Sequence, residues 1–562
     1  MNHPTNIKTD RWLQLLIAAV AALVFIPFLG GVHLFDWDEI NFAESAREMI
    51  SSGDYLTVQI GFQPFWEKPP LFIWMQVLSM KIFGINEFAA RFPNAICGII
   101  TLLVLYNFGK KLINRRFGLL WVMAYAASIL PFFYFKSGII DPWFNLFIFI
   151  GVSCFVFYLQ QGTLKIWNLV LSATFVGLAI MTKGPVALLI FLLAFGVNLV
   201  LNRFRLRIKW YEPIVFALVV AVVGGFWFIL QIINGKAYLI QDFIVYQIRL
   251  FTTKDSGHGG FLLYHVVILL VGVFPASVFA IAGHRSTLLP YLIQRKYRQW
   301  MIILLWVVLI LYTLVSTKII HYSSLAYFPL TFLAAMSLQL ITDGEWVIRR
   351  WMKWLTATIG LIIAFIVMAL PLIHWLKYKI IEADFIRDPF AKGNLAADVM
   401  WSGWEMIIGL VLVSGIIFFI LYAKKRSTRH AFASLFGSSF LFVILTIVVV
   451  TPKIEGYSQR AAIEFFKSLS HKDVYVETLG YKSYAHWFYG KVQPHIWDRA
   501  PEIVSNEWLL NGKIDKDAYF SAKIHHKEKY MNQQPELQIL YEKNGFVFFV
   551  RPRNSEIITT QQ

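Results

Sequence analysis

Cysteine is nearly absent from this 562-residue chain: there are two, Cys97 and Cys154, and both fall inside long apolar runs. That excludes a disulfide framework and a cysteine-built metal centre, and leaves two buried thiols acting as small apolar residues. Charge is scarce as well. Charged residues make up 15% of the chain, against about a quarter in soluble proteins. Hydrophobic residues make up 58%, with a mean hydropathy of +0.60. Also missing are internal repeats and charges set midway along the apolar runs, the features of a transporter built from inverted halves. The net charge of +18 comes with no soluble basic face or readout element, so no nucleic-acid partner is expected.

What is present is a series of apolar segments, each able to cross roughly 30 Å of hydrocarbon. About thirteen are expected, near 11–31, 88–108, 117–135, 141–159, 167–183, 185–201, 212–232, 261–283, 299–317, 321–341, 353–375, 403–423 and 430–450. Read with a cytoplasmic N-terminus and an uncleaved first span, this count puts every strongly basic short loop on one side. These loops carry Lys110, Lys111, Arg115 and Arg116; Arg203, Arg205, Arg207 and Lys209; Arg295, Lys296 and Arg298; Arg349, Arg350 and Lys353; and Lys424, Lys425, Arg426 and Arg429. The excess of cations is therefore topology, and it favours anionic membrane lipids as neighbours. The 161–166 loop, with Lys165 alone, adds least to that pattern.

Residues 1–452 read as the membrane domain and 453–562 as a soluble outer domain. Within the former, 32–87 form a first outer loop too long for a simple connector. An amphipathic helix near 40–50 and an interfacial helix over 69–83 are expected there. The tail reads as α/β: a helix at 458–469, a strand at 473–477, a helix at 482–489 and a strand at 517–523. A hairpin of 537–541 with 546–550, turning at Asn544-Gly545, completes it.

Polar residues gather at the outer ends of the spans. The first loop carries Asp36-Trp37-Asp38-Glu39 and Phe65-Trp66-Glu67-Lys68-Pro69-Pro70. Further along stand Asp141, Lys183, Arg249, Lys254, Asp255, His258, Lys318 and Tyr322. Ionisable groups so near a bilayer point to function. A carboxylate can deprotonate an acceptor hydroxyl, and cations can hold a phosphate and stabilise it as it leaves. Trp37 and Trp66 suit sugar stacking or interfacial anchoring. His265, His321 and the tail histidines read as structural.

Asp36-Trp37-Asp38-Glu39, Ala43-Glu44-Ser45-Ala46-Arg47-Glu48-Met49 and Phe65-Trp66-Glu67-Lys68-Pro69-Pro70-Leu71 resemble the first loop of bacterial GT-C glycosyltransferases. Within that class the chain is most similar to the aminoarabinose (lipid A) transferase and protein O-mannosyltransferase family. Leu178 to Pro185 and Ser316 to Tyr322 are similar to further family segments, and the resemblance covers most of 10–335. It departs at Ile40-Asn41-Phe42, where the family often has Arg or Tyr, and at the Lys-Ser-Gly-Ile-Ile before Asp141.

The resemblance implies an all-α polytopic membrane protein of about thirteen spans with a small C-terminal α/β domain outside. It implies Asp38 and Asp141 as catalytic acids, and Lys68, with Lys183, Arg249 and Lys318, as the cations for the donor phosphate. Asp36, Trp37, Glu39, Trp66 and Tyr322 form the substrate loop, and Glu67 and His258 match positions that can hold a divalent metal (Zn, Mg or Mn). The expected activity is inverting transfer of a sugar from a polyprenyl phosphate to lipid A or another lipid, with a protein acceptor as an alternative. A non-catalytic lipid-sugar flippase is the rival from another class. The expected setting is a monomer in a bacterial inner membrane, with the site and tail periplasmic.

Overall fold

A computed structural model of the chain describes residues 7–160, 165–205, 208–252, 260–284, 291–384, 386–492 and 506–553. In hydrocarbon a peptide group must find its hydrogen bond within its own segment, so the apolar runs become helices. Among the described residues nine helices are individually long and apolar enough to cross a membrane. The remaining expected spans also coincide with helix: Ile7–Phe25, Val186–Leu201, and the pair Arg115–Ala126 and Ile129–Tyr134. The helix Tyr211–Ile233 shows what faces the lipid: Leu218, Val222, Phe226 and Ile229 are exposed along one stripe, at helical spacing.

One expected span is not straight. Residues 261–283 form two helices, Tyr264–Gly272 and Ala276–His284, bent by 116° at the break that contains Pro275. Proline has no N–H to continue a helical ladder. The bent element begins at Gly260, which packs on Lys318, and ends at His284, whose carbonyl accepts from Arg298.

The two ends of the bundle differ in chemistry. At one end Asp10 binds Lys110 and accepts from Tyr106 Oη, and Arg116 meets Asp343. Glu212 joins Lys165 at 2.7 Å and Tyr158 Oη at 2.7 Å, placing Tyr158 and Lys165 beside the start of Tyr211–Ile233. At the other end lie the long first loop and the C-terminal unit.

The first loop folds as the helix Asp38–Ser52, a hairpin of β1 (Gln59–Ile60) and β2 (Gln63–Pro64), and the helix Leu71–Phe83. Buried Glu48 holds the hairpin turn by accepting the N–H groups of Gly61 and Phe62 at 2.6 and 2.8 Å. The C-terminal unit has a sheet of β3 (Tyr475–Leu479), β4 (Ala518–Lys523), β5 (Gln538–Lys543) and β6 (Phe546–Arg551) in the order β3-β4-β6-β5. β3 and β4 are parallel and the other pairs antiparallel. Side chains alternate across a strand, and β6 uses both faces. Phe546 and Phe548 pack toward the first loop, with Phe42, Phe72, Phe466 and Phe488 in the same core. Val547 and Phe549 pack the other way, with Leu479, Leu509 and Phe520. The loop and the tail therefore share one hydrophobic core.

The β5–β6 turn places Asn544 at φ 52° and Gly545 at φ 79°, a pairing suited to a tight hairpin. A Cβ at Gly545 would lie 2.6 Å from the Phe390 carbonyl oxygen. Gly545→Ala is expected to cost more than about 1 kcal/mol. Thermal unfolding in detergent, followed by protease sensitivity of the tail, checks this; an unchanged midpoint would refute the packing described.

Candidate active site

A cavity of about 880 Å³ opens at the end of the bundle that carries the first loop. It gathers residues from segments far apart in the chain. Asp36, Trp37, Asp38, Glu39, Glu67 and Lys68 come from the first loop; Asp141, Lys183 and Tyr322 come from span ends, and Arg249 from the helix Tyr238–Thr252. Two expected residues lie elsewhere. Trp66 lines a smaller adjoining pocket with Phe65, Asp242 and Arg249. His258 lies outside the described residues.

Lys318, expected among the donor-phosphate cations, turns away from the cavity. Its Nζ donates to the carbonyls of Tyr312, Thr313 and Val315 at 3.0, 2.5 and 2.7 Å. Those groups belong to the last turn of Leu292–Leu314, whose carbonyls lack helical partners. Lys318 is a helix cap.

The first-loop acids differ sharply from one another. Glu39 is 5% exposed and makes a two-pronged ion pair with Arg91, at 2.9 and 2.8 Å. It also accepts the N–H groups of Phe35 (2.9 Å) and Gly138. Burial alone would raise its carboxyl, but Arg91 and these N–H groups hold it below the usual range. All of this bonding is internal, so Glu39 is a scaffold residue rather than a substrate contact. Asp36 faces the tail: it accepts from the Tyr484 N–H at 3.2 Å and from Ser483. Burial pushes its carboxyl up to about 6. Trp37 Nε1 donates to the Lys482 carbonyl at 3.1 Å, with the Lys482 ammonium 5.0 Å from its ring.

Asp38 is different. It opens the helix Asp38–Ser52, where the helix dipole favours a negative charge, and its side chain is 42% exposed in the cavity. Among the described residues its one ion-pair neighbour is His321 Nε2, 3.6 Å from Oδ2. Asp141, at the start of Asp141–Tyr158, is buried and pairs with Lys183 Nζ at 2.6 Å. The Lys183 ammonium also lies 5.3 Å from the Tyr322 ring. One acid is thus available to a substrate and the other is neutralised.

Lys68 is the available cation. Its ammonium lies 5.4 Å from the Tyr246 ring and has no ion pair among the described residues. Burial holds it below the usual lysine range and the charge of Lys183 adds to this, while Glu67, Asp38 and Asp141 oppose it. An arriving phosphate would restore its preference for the charged form. Tyr246 links the neighbouring groups: its hydroxyl donates to Glu67 Oε2 at 2.8 Å, and the Arg249 guanidinium sits 5.2 Å from its ring. Among the described residues no three metal-ligating side chains converge, and Glu67 is engaged by Tyr246. Those residues do not by themselves make a metal centre.

Several lining residues escaped the sequence reading: Arg91, Tyr134, Lys136, Tyr246, His321, Lys482 and Tyr484. His321, read as structural, lies 3.6 Å from Asp38 and within electrostatic reach of Asp141. It is next to Tyr322 and three residues past Lys318, so the polar run itself was the available signal. Lys482 and Tyr484 carried none, because their place depends on how the tail docks.

Residues 67–227 match the family described as dolichyl-phosphate-mannose-protein mannosyltransferase. The undecaprenyl phosphate-α-4-amino-4-deoxy-L-arabinose arabinosyl transferase of Photorhabdus laumondii is 22% identical, covering 90% of this chain and 89% of its own. The transferase of the same description from Yersinia enterocolitica is 28% identical over 46% of this chain and 47% of its own. Among solved structures, ArnT from Cupriavidus metallidurans bound to undecaprenyl phosphate superposes with a TM-score of 0.72 at 17% identity. That superposition covers 96% of this chain and 98% of the other. The fold is that of the solved ArnT structure.

The Asp36 carboxyl titrates near 6 in the folded chain, against an ordinary 3.8. Its protonated form therefore favours the docked tail. That contribution is full below about pH 4 and is lost as pH rises through about 6. Asp36→Asn cannot ionise, so its melting temperature relative to wild type is expected to rise between pH 4 and pH 7. Melting curves of both proteins across that range check this, and a constant difference would contradict it.

Proposed function

We propose that this chain, which resembles the GT-C aminoarabinose transferases, moves a sugar with inversion from a polyprenyl phosphate to a lipid acceptor. The observation that carries the reading is the convergence of an exposed acid, Asp38, and a cation with no ion pair among the described residues, Lys68, on one cavity at the end of the span bundle. The neutralised Asp141–Lys183 pair, further along the chain than both, lines the same cavity. Relatives that carry undecaprenyl phosphate in their names support the choice of donor.

In this reading the donor phosphate lies on Lys68 and Arg249, around the Tyr246 ring. The acceptor oxygen attacks the anomeric carbon from the face opposite the phosphate. A new glycosidic C–O bond forms as the bond from that carbon to the phosphate oxygen breaks, and its electron pair stays on the phosphate. Lys68 stabilises that developing charge. The acceptor's proton, where it carries one, passes to Asp38. Lys183 holds Asp141, and the low-dielectric walls make each interaction stronger than it would be in water.

Lipid A is the acceptor we favour, with a protein hydroxyl as the alternative that the mannosyltransferase match supports. A flippase without chemistry of its own would place charges at the bilayer midplane, whereas here the charges of the cavity gather at one end of the bundle. We place the chain in a bacterial inner membrane as a monomer, with its N-terminus cytoplasmic and its cavity and tail periplasmic.

The test is mass spectrometry of lipid A and of surface glycoproteins from cells lacking the chain. Those cells are complemented with wild type, Asp38→Asn or Lys68→Ala. A sugar-sized mass is expected to be lost without the chain and restored by wild type alone, and the fraction that carries it identifies the acceptor. With purified protein, Asp38→Asn is expected to lower kcat by about 10²–10⁴-fold. Lys68→Ala is expected to lower it by about 10²–10³-fold, with membrane insertion unchanged in both. Full restoration by either variant would remove the role assigned to it.

A further inference from the structure

We propose that His321 is the positioning residue for Asp38, an assignment that rests on the transferase reading above. Asp38 is the first residue of its helix, is exposed in the cavity, and has one ion-pair neighbour among the described residues, His321 Nε2 at 3.6 Å. A carboxylate that must take a proton from a bound acceptor cannot do so from every rotamer. Something has to aim it, and the imidazole is the group within reach.

The chain is built to hold that imidazole still. His321 lies in the 3-10 turn Ile320–Ala326, between Leu292–Leu314 and Tyr327–Thr342. Lys318, three residues earlier, ties the approach to this turn onto three carbonyls of residues 312–315. On the other side Ser324 Oγ donates to the His321 carbonyl at 2.5 Å, and Asn145 Nδ2 donates to Ser324 Oγ at 2.7 Å. Asn145 sits one helical turn beyond Asp141, so the turn bearing His321 is pinned to the helix that carries the second acid. The Tyr322 ring packs edge-on against the imidazole at 5.3 Å. These contacts account for a lysine and a serine that otherwise have no work in the site.

The groups within electrostatic reach of His321 are Asp38, Asp141, Lys68 and Lys183, two acids and two lysines. Their charges nearly balance, so the surroundings do not force the ring into its charged form. A neutral imidazole with its proton on Nε2 can donate to one oxygen of Asp38 and leave the other facing the acceptor. At 3.6 Å the pair is too long for a direct hydrogen bond. Catalytic contacts commonly tighten once substrate is bound, and a water can bridge the gap in the free protein. The acceptor's proton still goes to Asp38, and His321 takes no part in the bond changes.

The experiment uses purified full-length protein, a polyprenyl-phosphate sugar donor, and the variants His321→Ala and His321→Gln. Losing the aim of one reacting group costs on the order of 10²-fold, so His321→Ala is expected to lower kcat by about that factor. Donor KM and undecaprenyl phosphate binding should stay within about twofold, because Lys68 and Arg249 are untouched. His321→Gln offers an amide nitrogen near the position of Nε2 and is expected to recover at least tenfold over alanine. An alanine variant with wild-type kcat overturns the assignment and leaves the transferase reading standing. So does a loss confined to donor binding, equal loss in both variants, or loss of the cooperative melt in both. Wild-type protein that transfers no sugar overturns the transferase reading and this assignment with it.

Discussion

The buried Glu39–Arg91 pair is the contact on which the cavity depends. Arg91 binds more than the carboxylate: it also donates to the carbonyls of Leu29, Val32 and His33. Glu39 accepts the N–H groups of Phe35 and Gly138 in return. Five chain segments meet there: the end of the first span, the strand-like approach to Asp38, the helix Asp38–Ser52, the helix Glu87–Leu112 and the turn before Asp141. Taking two charges out of water is costly, and such a pair is retained only where its geometry satisfies nearly every donor and acceptor. Here it does. The result is that Asp38, the next residue along, and Asp141, three residues past Gly138, are both placed from one anchor.

That anchor explains how three neighbouring acids come to do three jobs. Asp36 faces outward and binds the tail, Glu39 faces inward and binds the scaffold, and Asp38 between them faces the cavity. Their chemistry is the same and their surroundings are not. Asp141 shows the same principle on the other wall, where Lys183 at 2.6 Å cancels its charge. Lys68 and Lys318 form the matching contrast among the cations. One ammonium meets an aromatic face and can accept an anion; the other is consumed by backbone carbonyls.

The C-terminal unit belongs to this arrangement through its docking. Its core is continuous with that of the first loop, through Phe42 and Phe72 on one side and Phe466, Phe488 and Phe548 on the other. Lys482 and Tyr484 reach the cavity because the 482–484 segment lies across Asp36 and Trp37. Tyr489 Oη accepts from the Leu34 N–H at 2.7 Å, and Gln459 Nε2 donates to the Leu34 carbonyl at 2.7 Å. The tail thus clamps the chain on both sides of the residues that precede Asp38.

Much of this was readable in one dimension. Span positions follow from apolar length, because the bilayer imposes the same requirement on every crossing. The hairpin at Asn544-Gly545, the tail helices Arg460–Leu469 and Ala485–Gly490 and the helix Leu71–Phe83 follow from local patterns. The Asp36 to Glu39 and Glu67-Lys68 clusters announced a site because charge near a membrane is costly without a use. The bend near Pro275 was less legible, since an apolar run looks the same whether straight or broken. Tertiary structure alone decided which ionisable groups remain available. A sequence shows that a lysine stands at a span end but not whether its ammonium finds a carbonyl, a carboxylate or open space. Lys318 is consumed by carbonyls in the turn just before it, Glu39 by Arg91 from another helix, and His321 lies beside Asp38 from a distant part of the chain. Composition and local pattern determined a membrane bundle with chemistry at one end. The choice of acting groups came from long-range pairing, because a charge in a low-dielectric interior is governed by its nearest partners rather than by its place in the chain.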